Sequence, residues 1–166
     1  MAKLHNMTTC LWFDKNAEEA VNFYTAVFNN SSRGRTAYYP NEGKEIHGMD
    51  EGTVLTIEFE LEGNRFMALN GGPIFKFSEA ISIMLYCDTQ DEIDHYWEKL
   101  GEGGDPKAQQ CGWLKDKFGL SWQITPPQLD DMMTDPDKEK GARVMKAFMP
   151  MKKIDLAAVE KAYAGE

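Results

Sequence analysis

The stretches NAEEAVNFY (residues 16–24) and TQDEIDHYW (residues 89–97) decide the fold. Each begins with a residue that favours a helix N-cap, and a glutamate three positions later, Glu19 or Glu92, predicts a capping box. The two stretches align without gaps and carry aromatic residues at the same two positions. They predict equivalent amphipathic helices in a duplicated module.

The strands predicted around each helix occur in the same order. They are TTCLWF (8–13), RTAYY (35–39) and VLTIEFELEGNRFMALN (54–70) in the first copy, and ISIMLYCD (81–88) and CGWLKDKFGLSWQIT (111–125) in the second. A polar loop, residues 41–52, occurs only in the first copy. The order predicts an α+β fold of paired βαβββ modules, with module one at about 6–72 and module two at about 79–127.

The character of the chain changes after Pro126 and Pro127. Asp135-Pro136 is typical of a helix start, and apolar residues at helical spacing follow it. We therefore predict one domain over residues 1–127 and a helical C-terminal extension over residues 128–166. The extension is interpreted as a cap on the sheets or on a partner subunit, with a methionine-lined binding surface as the alternative.

Charge and composition exclude several classes of protein. The formal charge of -9 and the pI of about 4.9 disfavour binding to nucleic acid. No apolar run is long enough to span a bilayer, and the N-terminus lacks the apolar core of a signal peptide. The three cysteines are far apart and suggest neither a disulfide framework nor a zinc knuckle. We expect a cytoplasmic protein without a membrane partner.

Three stretches together carry a family resemblance. They are DKNAEEAVNFYTAVF (14–28), ALNGGPIFKFSEAIS (68–82) and QCGWLKDKFGLSWQITP (110–126). As a set they resemble the PhnB-like branch of the vicinal oxygen chelate (glyoxalase, bleomycin-resistance, dioxygenase) superfamily, over roughly residues 6–127. Members are often labelled 3-demethylubiquinone-9 3-methyltransferase. The resemblance implies a bacterial protein whose glyoxalase/bleomycin-resistance-like modules curl into a cleft, frequently in a homodimer.

The resemblance also implies where a metal would sit, with one ligand on the first and one on the last strand of each module. Thr9 and Ser82 stand at the same spacing before the two helix caps, and Met67 and Gln123 fall on the last strands. None of the four is a histidine or a carboxylate, the ligands that divalent cations prefer. We therefore predict no glyoxalase-type metal site and no cofactor.

Soft and aromatic side chains are predicted to line the cleft. Strand alternation places Ser82, Met84 and Tyr86 on one face of their strand. The candidate walls of the cleft are Met67, Met84, Tyr86, Trp113 and Gln123. Such walls suit a small, partly aromatic organic ligand that Gln123 and Tyr86 would orient. The alternative is that these same side chains fill the cleft themselves.

Titratable residues offer weaker candidates for chemistry. Glu58 and Glu60 share one strand face, where either would serve as a general base or bind a cation if that face lines the cleft. The competing interpretation is a solvated strand face. His95 and Glu98 stand three apart on the second helix at a metal-compatible spacing, and His47 lies in the polar loop. Without a partner in the sequence, we interpret both histidines as non-catalytic.

No sequence motif supports a nucleophile or methyl transfer. Ser82 and Ser121 lack a G-x-S-x-G context, and Cys111 is interpreted as structural rather than as a reactive thiol. The run GEGGD (101–105) follows a helix, whereas a cofactor-binding glycine turn connects a strand to a helix. The methyltransferase label therefore meets a physical objection.

These observations favour a metal-independent small-molecule-binding protein, of the sequestering or resistance type found in the superfamily. The first alternative is a lyase- or dioxygenase-like enzyme of the same superfamily. The second is the methyltransferase of the family label.

Overall fold

A computed structural model describes residues 7–166 and shows a mixed α+β fold with two sheets, as predicted. The strands are β1 (Thr9–Phe13), β2 (Ser31–Tyr38), β3 (Val54–Leu61), β4 (Asn64–Asn70), β5 (Ile83–Tyr86), β6 (Trp113–Lys115) and β7 (Ser121–Thr125). The helices are α1 (Ala17–Val27), α2 (Lys44–His47), α3 (Gln90–Gly101), α4 (Pro127–Met133), α5 (Lys138–Phe148) and α6 (Leu156–Ala164). None of these helices is long and apolar enough to cross a membrane.

The chain divides into two compact units, one ending at Lys76 and one spanning Phe77–Glu166. The first unit has the predicted βαβββ order, and its strands lie in the order β1-β4-β3-β2. β1 pairs with β4 in parallel, and the other pairs are antiparallel. The predicted polar loop contains the short helix α2. Ile57 and Ala68 are fully buried on the side of the sheet where α1 packs.

The N-terminus of α1 is stabilised differently from the prediction. Asn16 occupies the N-cap position but makes no side-chain capping hydrogen bond. Instead, the buried side chain of Asn70 at the end of β4 accepts a hydrogen bond from the Ala17 amide (2.9 Å) and donates one to the Val54 carbonyl (2.9 Å). The cap therefore comes from a residue distant in sequence, which local pattern cannot reveal.

The second unit retains the strand–helix–hairpin order but has only three strands, in the order β5-β7-β6. Where the first unit has β2, the second has a 3₁₀ turn, Pro106–Ala108, and an isolated bridge between Gln110 and Trp113. The predicted capping box of α3 is confirmed, with Thr89 and Glu92 exchanging hydrogen bonds. The second module is therefore a shortened copy, lacking the strand as well as the polar loop.

The C-terminal extension forms three helices around a small apolar core of its own. The core residues are Leu129, Val144, Ile154 and Val159. Asp137 caps α5, so the helix begins two residues later than Asp135-Pro136 predicted. The backbone amides of Cys111 and Gly112 donate to the carbonyls of Met151 (2.8 Å) and Lys152 (2.7 Å). These bonds join the extension to the second sheet within one compact unit.

Candidate functional site

A row of three side chains crosses the face of the first sheet that points away from α1. The strand register sets Cys10 opposite Met67, and Met67 opposite Glu58. Directly opposed residues project to the same face of a sheet, so the three side chains are neighbours. We call Cys10, Met67 and Glu58 the first row. Cys10 is exposed, while Met67 and Glu58 are half-buried.

The second sheet carries an equivalent row on the face away from α3. Met84 on β5 lies opposite Gln123 on β7, and Gln123 lies opposite Trp113 on β6. We call these three residues the second row. Ile124 and Leu114, the sequence neighbours of Gln123 and Trp113, are buried on the other face. The two rows are therefore equivalent. Each contains one residue from the first strand of its module, one from the last strand and one from the next-to-last strand.

The register shifts two of the four predicted positions. Met67 and Gln123 are equivalent, as sequence spacing predicted, but their partners are Cys10 and Met84 rather than Thr9 and Ser82. Thr9 lies opposite Phe66, whose side chain is buried on the α1 side of the sheet. Cys10 stands six residues before its helix cap (16 − 10) and Met84 five before its own (89 − 84), so the spacing of seven used for Thr9 and Ser82 fits neither module.

Ser82 still belongs to the face of the second row, next to Gln123. It precedes β5, and its Oγ accepts a hydrogen bond from Gln123 Nε2 (2.7 Å). Tyr86 lies on the same face at the other end of β5, where its hydroxyl donates to Asp130 of α4 (3.0 Å). This hydrogen bond raises the pKa of Tyr86 above its ordinary value. The predicted group Ser82, Met84 and Tyr86 therefore shares one face, as strand alternation indicated.

The residues at the metal-ligand positions do not fit a glyoxalase-type metal. The four equivalent positions carry a thiol, two thioethers and an amide, at Cys10, Met67, Met84 and Gln123. A divalent cation of that kind prefers imidazole and carboxylate ligands. Within residues 7–166, no group of three or more His, Cys, Asp or Glu side chains is placed to hold a metal ion.

The carboxylate of the first row is engaged in an ion pair. Arg35 binds Glu58 through both ends of its guanidinium, with Nη2 2.6 Å from Oε1 and Nε 3.0 Å from Oε2. The hydrogen bonds from Arg35 hold the pKa of Glu58 below its ordinary value. Glu58 is therefore ionised and paired near neutral pH, which makes it a poor proton acceptor.

The histidines make local contacts. His47 Nδ1 accepts a hydrogen bond from the Met49 amide (3.1 Å), and its ring packs 4.6 Å from the ring of Tyr39. His95 is exposed on α3, and its ring contacts Tyr96 edge to face at 5.0 Å. Neither histidine lies in the two rows.

The glycine-rich run after α3 closes a structural turn. A side chain at Gly104 would place its Cβ 1.9 Å from the Lys115 carbonyl oxygen, so the backbone of the run packs directly against β6. The run follows a helix and leads into the 3₁₀ turn. It therefore lacks the strand-to-helix geometry in which backbone amides surround a nucleotide cofactor.

The two units contain pockets of different size and chemistry. In the first unit, a pocket of about 140 Å³ is lined largely by polar groups, including Glu58, Glu60 and Arg65. In the second unit, a pocket of about 410 Å³ opens beside β6, with Trp113 and Ser121 among its lining residues. Only the second has the volume range of a small-ligand site, and we call it the β6 pocket.

The β6 pocket combines apolar walls with one ion pair. Its lining residues are Glu79, Ala108, Gln110, Cys111, Trp113, Leu114, Lys115 and Ser121. Lys115 Nζ lies 2.6 Å from Glu79 Oε1, and this contact lowers the pKa of Glu79. Cys111 has φ +50°, and its thiol donates to the Met149 carbonyl (3.1 Å) of the extension. Of the predicted cleft residues, Trp113 lines this pocket directly.

Of the residues that line the β6 pocket, sequence reasoning named only Trp113 as a cleft residue, and among those it missed are the polar residues Glu79, Lys115 and Ser121. Lys115 and Ser121 are opposed across the β6–β7 pair, at the positions before and after the turn. Alternation from Trp113 and Gln123 places both on the face of the second row, so the hairpin pattern contained this information. Glu79 lies in the segment between the two sheets, and no local signal connects it to Lys115.

Comparison with known proteins identifies the family. A family model described as 3-demethylubiquinone-9 3-methyltransferase matches residues 5–125. The chain belongs to this family. A comparison with curated protein sequences gives no match. The 3-demethylubiquinone-9 3-methyltransferase family model ends before α4, so the extension lies outside the matched residues.

One solved structure confirms the resemblance to PhnB-like proteins, and two more distant ones share the fold. A PhnB protein from Bacillus cereus is 36% identical, with a TM-score of 0.61, over 74% of this chain and 99% of that one. Protein PA1353 from Pseudomonas aeruginosa is 17% identical, with a TM-score of 0.57, over 74% and 98%. The fosfomycin resistance protein FosX from Listeria monocytogenes is 12% identical, with a TM-score of 0.52, over 79% and 98%. The last two show the fold alone.

Proposed function

We propose that this protein binds a small, partly aromatic organic molecule on the face of the second row, without a glyoxalase-type metal. The observation that carries the proposal is the β6 pocket, about 410 Å³ in volume, with Trp113 of the second row in its wall. A tryptophan ring offers a large apolar surface and an N–H at its edge, a combination suited to an aromatic ligand.

The chemistry of the rows supports binding over metal-assisted catalysis. The ligand positions carry sulfur and amide groups, and the one carboxylate of the rows is paired with Arg35. Gln123 is held by Ser82 in a defined orientation, which leaves its amide oxygen to accept a hydrogen bond from a ligand. Met84 and Tyr86 extend the apolar surface and are both substantially exposed.

The experiment is a thermal-shift screen of the purified protein, together with metal analysis by mass spectrometry. The screen includes small aromatic compounds, S-adenosylmethionine and quinone analogues. We expect stabilisation by aromatic compounds and substoichiometric metal. Tightly held stoichiometric metal would favour the enzyme of the same superfamily, and stabilisation by S-adenosylmethionine would favour the methyltransferase of the family label.

A pair of tryptophan variants locates the binding site. Trp113→Ala removes the wall of the β6 pocket, and we expect at least a tenfold loss of affinity for any aromatic compound that the screen finds. Trp97→Ala on α3 is the matched control, because that residue does not line the pocket. Equal losses in both variants would contradict the proposed location.

We also propose a cytoplasmic homodimer. Cys10, Cys87 and Cys111 are all free thiols, as a reducing compartment would keep them. Burial raises the pKa of the Cys87 thiol to about 12, so this group stays protonated and unreactive. The large apolar side chains of Ile74, Phe75 and Ile81 are mostly exposed in a single chain. Light scattering after size-exclusion chromatography tests the dimer.

A further inference from the structure

The hydroxyl of Ser121 is buried without a hydrogen-bond partner. Only 1% of the residue's surface is exposed, and its Oγ contacts no donor or acceptor among residues 7–166. The large majority of buried side-chain polar atoms in folded proteins are paired, because an unpaired one has lost its hydrogen bonds to water. Ser121 is among the residues that line the β6 pocket, so a group bound there lies beside it.

The position of Ser121 follows from the hairpin. Its neighbours Trp122 and Leu120 are almost fully buried, and Trp122 pairs with Leu114 on the α3 side of the sheet. Alternation turns Ser121 to the opposite face, directly across from Lys115. An alanine at this position would leave no unpaired polar atom. A serine there calls for an explanation beyond packing.

The charges around Ser121 define what kind of partner the pocket accepts. Lys115 has three N–H donors and uses one on Glu79 at 2.6 Å, which leaves donors for a ligand oxygen. The carboxylate of Glu79 also lines the pocket and would repel an anion. Trp113, Ala108 and Cys111 supply apolar walls. A neutral ring with one oxygen substituent matches all three features.

We propose that the β6 pocket takes a neutral aromatic molecule with a phenol-type oxygen, and that Ser121 is the residue that selects this oxygen. The ring packs against Trp113, and its oxygen exchanges a hydrogen bond with Ser121 Oγ next to the Lys115 ammonium. This inference rests on the proposed function and narrows it to a ligand class. It also explains the unpaired hydroxyl, which is satisfied when the ligand is bound.

The test compares three probes of similar size by ¹⁹F NMR titration: 4-fluorophenol, 4-fluorotoluene and 4-fluorobenzoate. In the unchanged protein, we expect 4-fluorophenol to bind about tenfold more tightly than 4-fluorotoluene, since one buried hydrogen bond separates them. We expect 4-fluorobenzoate to bind more weakly than 4-fluorophenol because its charge faces Glu79. A preference for 4-fluorotoluene or 4-fluorobenzoate would overturn the inference.

Two substitutions and one control variant test which residues cause the preference. Ser121→Ala should bring the affinity for 4-fluorophenol down to that for 4-fluorotoluene, whereas Ser31→Ala in the first unit should leave the preference unchanged. Glu79→Gln should raise the affinity for 4-fluorobenzoate about tenfold by removing the repelling charge. Retention of the full preference in Ser121→Ala would overturn the role of Ser121, and no gain in Glu79→Gln would overturn the account of charge.

Different experimental results would contradict this inference and the proposed function. If Trp113→Ala loses ligand binding while Ser121→Ala keeps the preference for 4-fluorophenol, the ligand class is wrong and the site is right. If none of the three probes binds, the ligand class is again wrong, and the broader thermal-shift screen decides on the proposed function. If the screen also finds no ligand, both proposals fail.

Discussion

The two modules build equivalent hairpins with different chemistry. In the first, β3 and β4 are joined by Glu62 and Gly63, which both have positive φ (47° and 75°), as a type I′ turn requires. In the second, the longer link between β6 and β7 is held by the buried carboxylate of Asp116. It accepts hydrogen bonds from the amides of Phe118 (2.9 Å) and Leu120 (3.0 Å) and from the Trp122 indole (2.9 Å).

The difference shows how a duplicated module can diverge while its fold persists. The first module has four strands, a tight turn and a small polar pocket. The second has lost the strand equivalent to β2, and it contains the larger pocket beside its edge strand β6. The missing strand would have paired along that edge. Loss of a structural element and gain of a candidate binding site therefore coincide in one module.

The largest effect on stability is expected at the link between β6 and β7, which the Asp116 carboxylate holds. Asp116→Ala removes one acceptor from three donors, two of them in residues that are almost fully buried, and should lower the free energy of unfolding by about 4 kcal/mol. Urea denaturation measures it. Glu62→Ala in the first hairpin is the control, and we expect a change within about 0.5 kcal/mol. Equal effects would show that the turns do not differ as described.

Should Asp116→Ala fail to fold, Asp116→Asn provides the measurement. The amide keeps one oxygen for the two backbone donors but presents an N–H₂ group to the Trp122 indole N–H. We expect an intermediate loss of stability and faster hydrogen exchange of the indole proton. An unchanged indole exchange rate would contradict the assignment.

The second prediction compares the N-terminal caps of α1 and α3. Asn70→Ala removes the hydrogen bonds to the Ala17 amide and the Val54 carbonyl and leaves the buried Ala17 amide without its cap, so we expect a loss of about 3 kcal/mol. Thr89→Ala removes an exposed capping box, and we expect a loss of about 1 kcal/mol. Urea denaturation of both variants checks the order. A larger loss for Thr89→Ala would reverse the comparison.

The third prediction is that removing a serine hydroxyl changes stability in opposite directions in the two modules. Ser121→Ala removes an unpaired buried hydroxyl and should raise stability by about 1 kcal/mol. Ser31→Ala removes a hydroxyl that contacts the carbonyls of Thr25 (2.9 Å) and Phe28 (2.7 Å), and it should lower stability by about 1 kcal/mol. The thermal unfolding midpoints of the two variants, each compared with the unchanged protein, show the direction of each change. Destabilisation by Ser121→Ala would mean that its hydroxyl is paired in solution.

The smallest expected effects are losses of stability at acidic pH. Hydrogen bonds from Arg35 and from Lys115 lower the pKa values of Glu58 and Glu79, one in each module. The ion pairs therefore stabilise the folded state above the unfolded pKa of about 4.3, and this stabilisation is lost as the pH falls through the lower folded values. Carboxyl-carbon NMR shifts should show both midpoints below about 4.3. Arg35→Gln should raise only the Glu58 midpoint, and Lys115→Gln only that of Glu79.

The elements that sequence predicted well are those with a clear period or a local motif. The alternation of Ile57, Glu58 and Phe59 assigned β3 and its buried face correctly, and Thr89 with Glu92 marked the start of α3. The equivalence of Met67 and Gln123 also followed from spacing. In each case, the physical cause acts between residues close in sequence.

The features that sequence could not predict depend on distant contacts. Asn16 and Asn70 are both plausible caps for α1 on chemistry alone, and only the folded sheet brings Asn70 to the helix. Cys10 and Met84 stand at different distances from their helix caps, and the connections between them carry no pattern that would reveal this. Whether Ser121 has a partner is a property of three-dimensional packing, so its unpaired hydroxyl has no counterpart in the sequence.

The hydrogen bonds of Gly112 limit how far this protein can be shortened from its C-terminus. Its amide donates to Lys152 (2.7 Å), its carbonyl accepts from Ile124 (2.8 Å), and a Cβ on it would come within 2.7 Å of the Ile124 oxygen. The family model ends at residue 125, which invites a cut just after it. Such a cut would leave the amides of Cys111 and Gly112 without their carbonyl partners, and Cys111 lines the β6 pocket. A minimal protein would therefore need a replacement segment there, and trimming alone would not produce it.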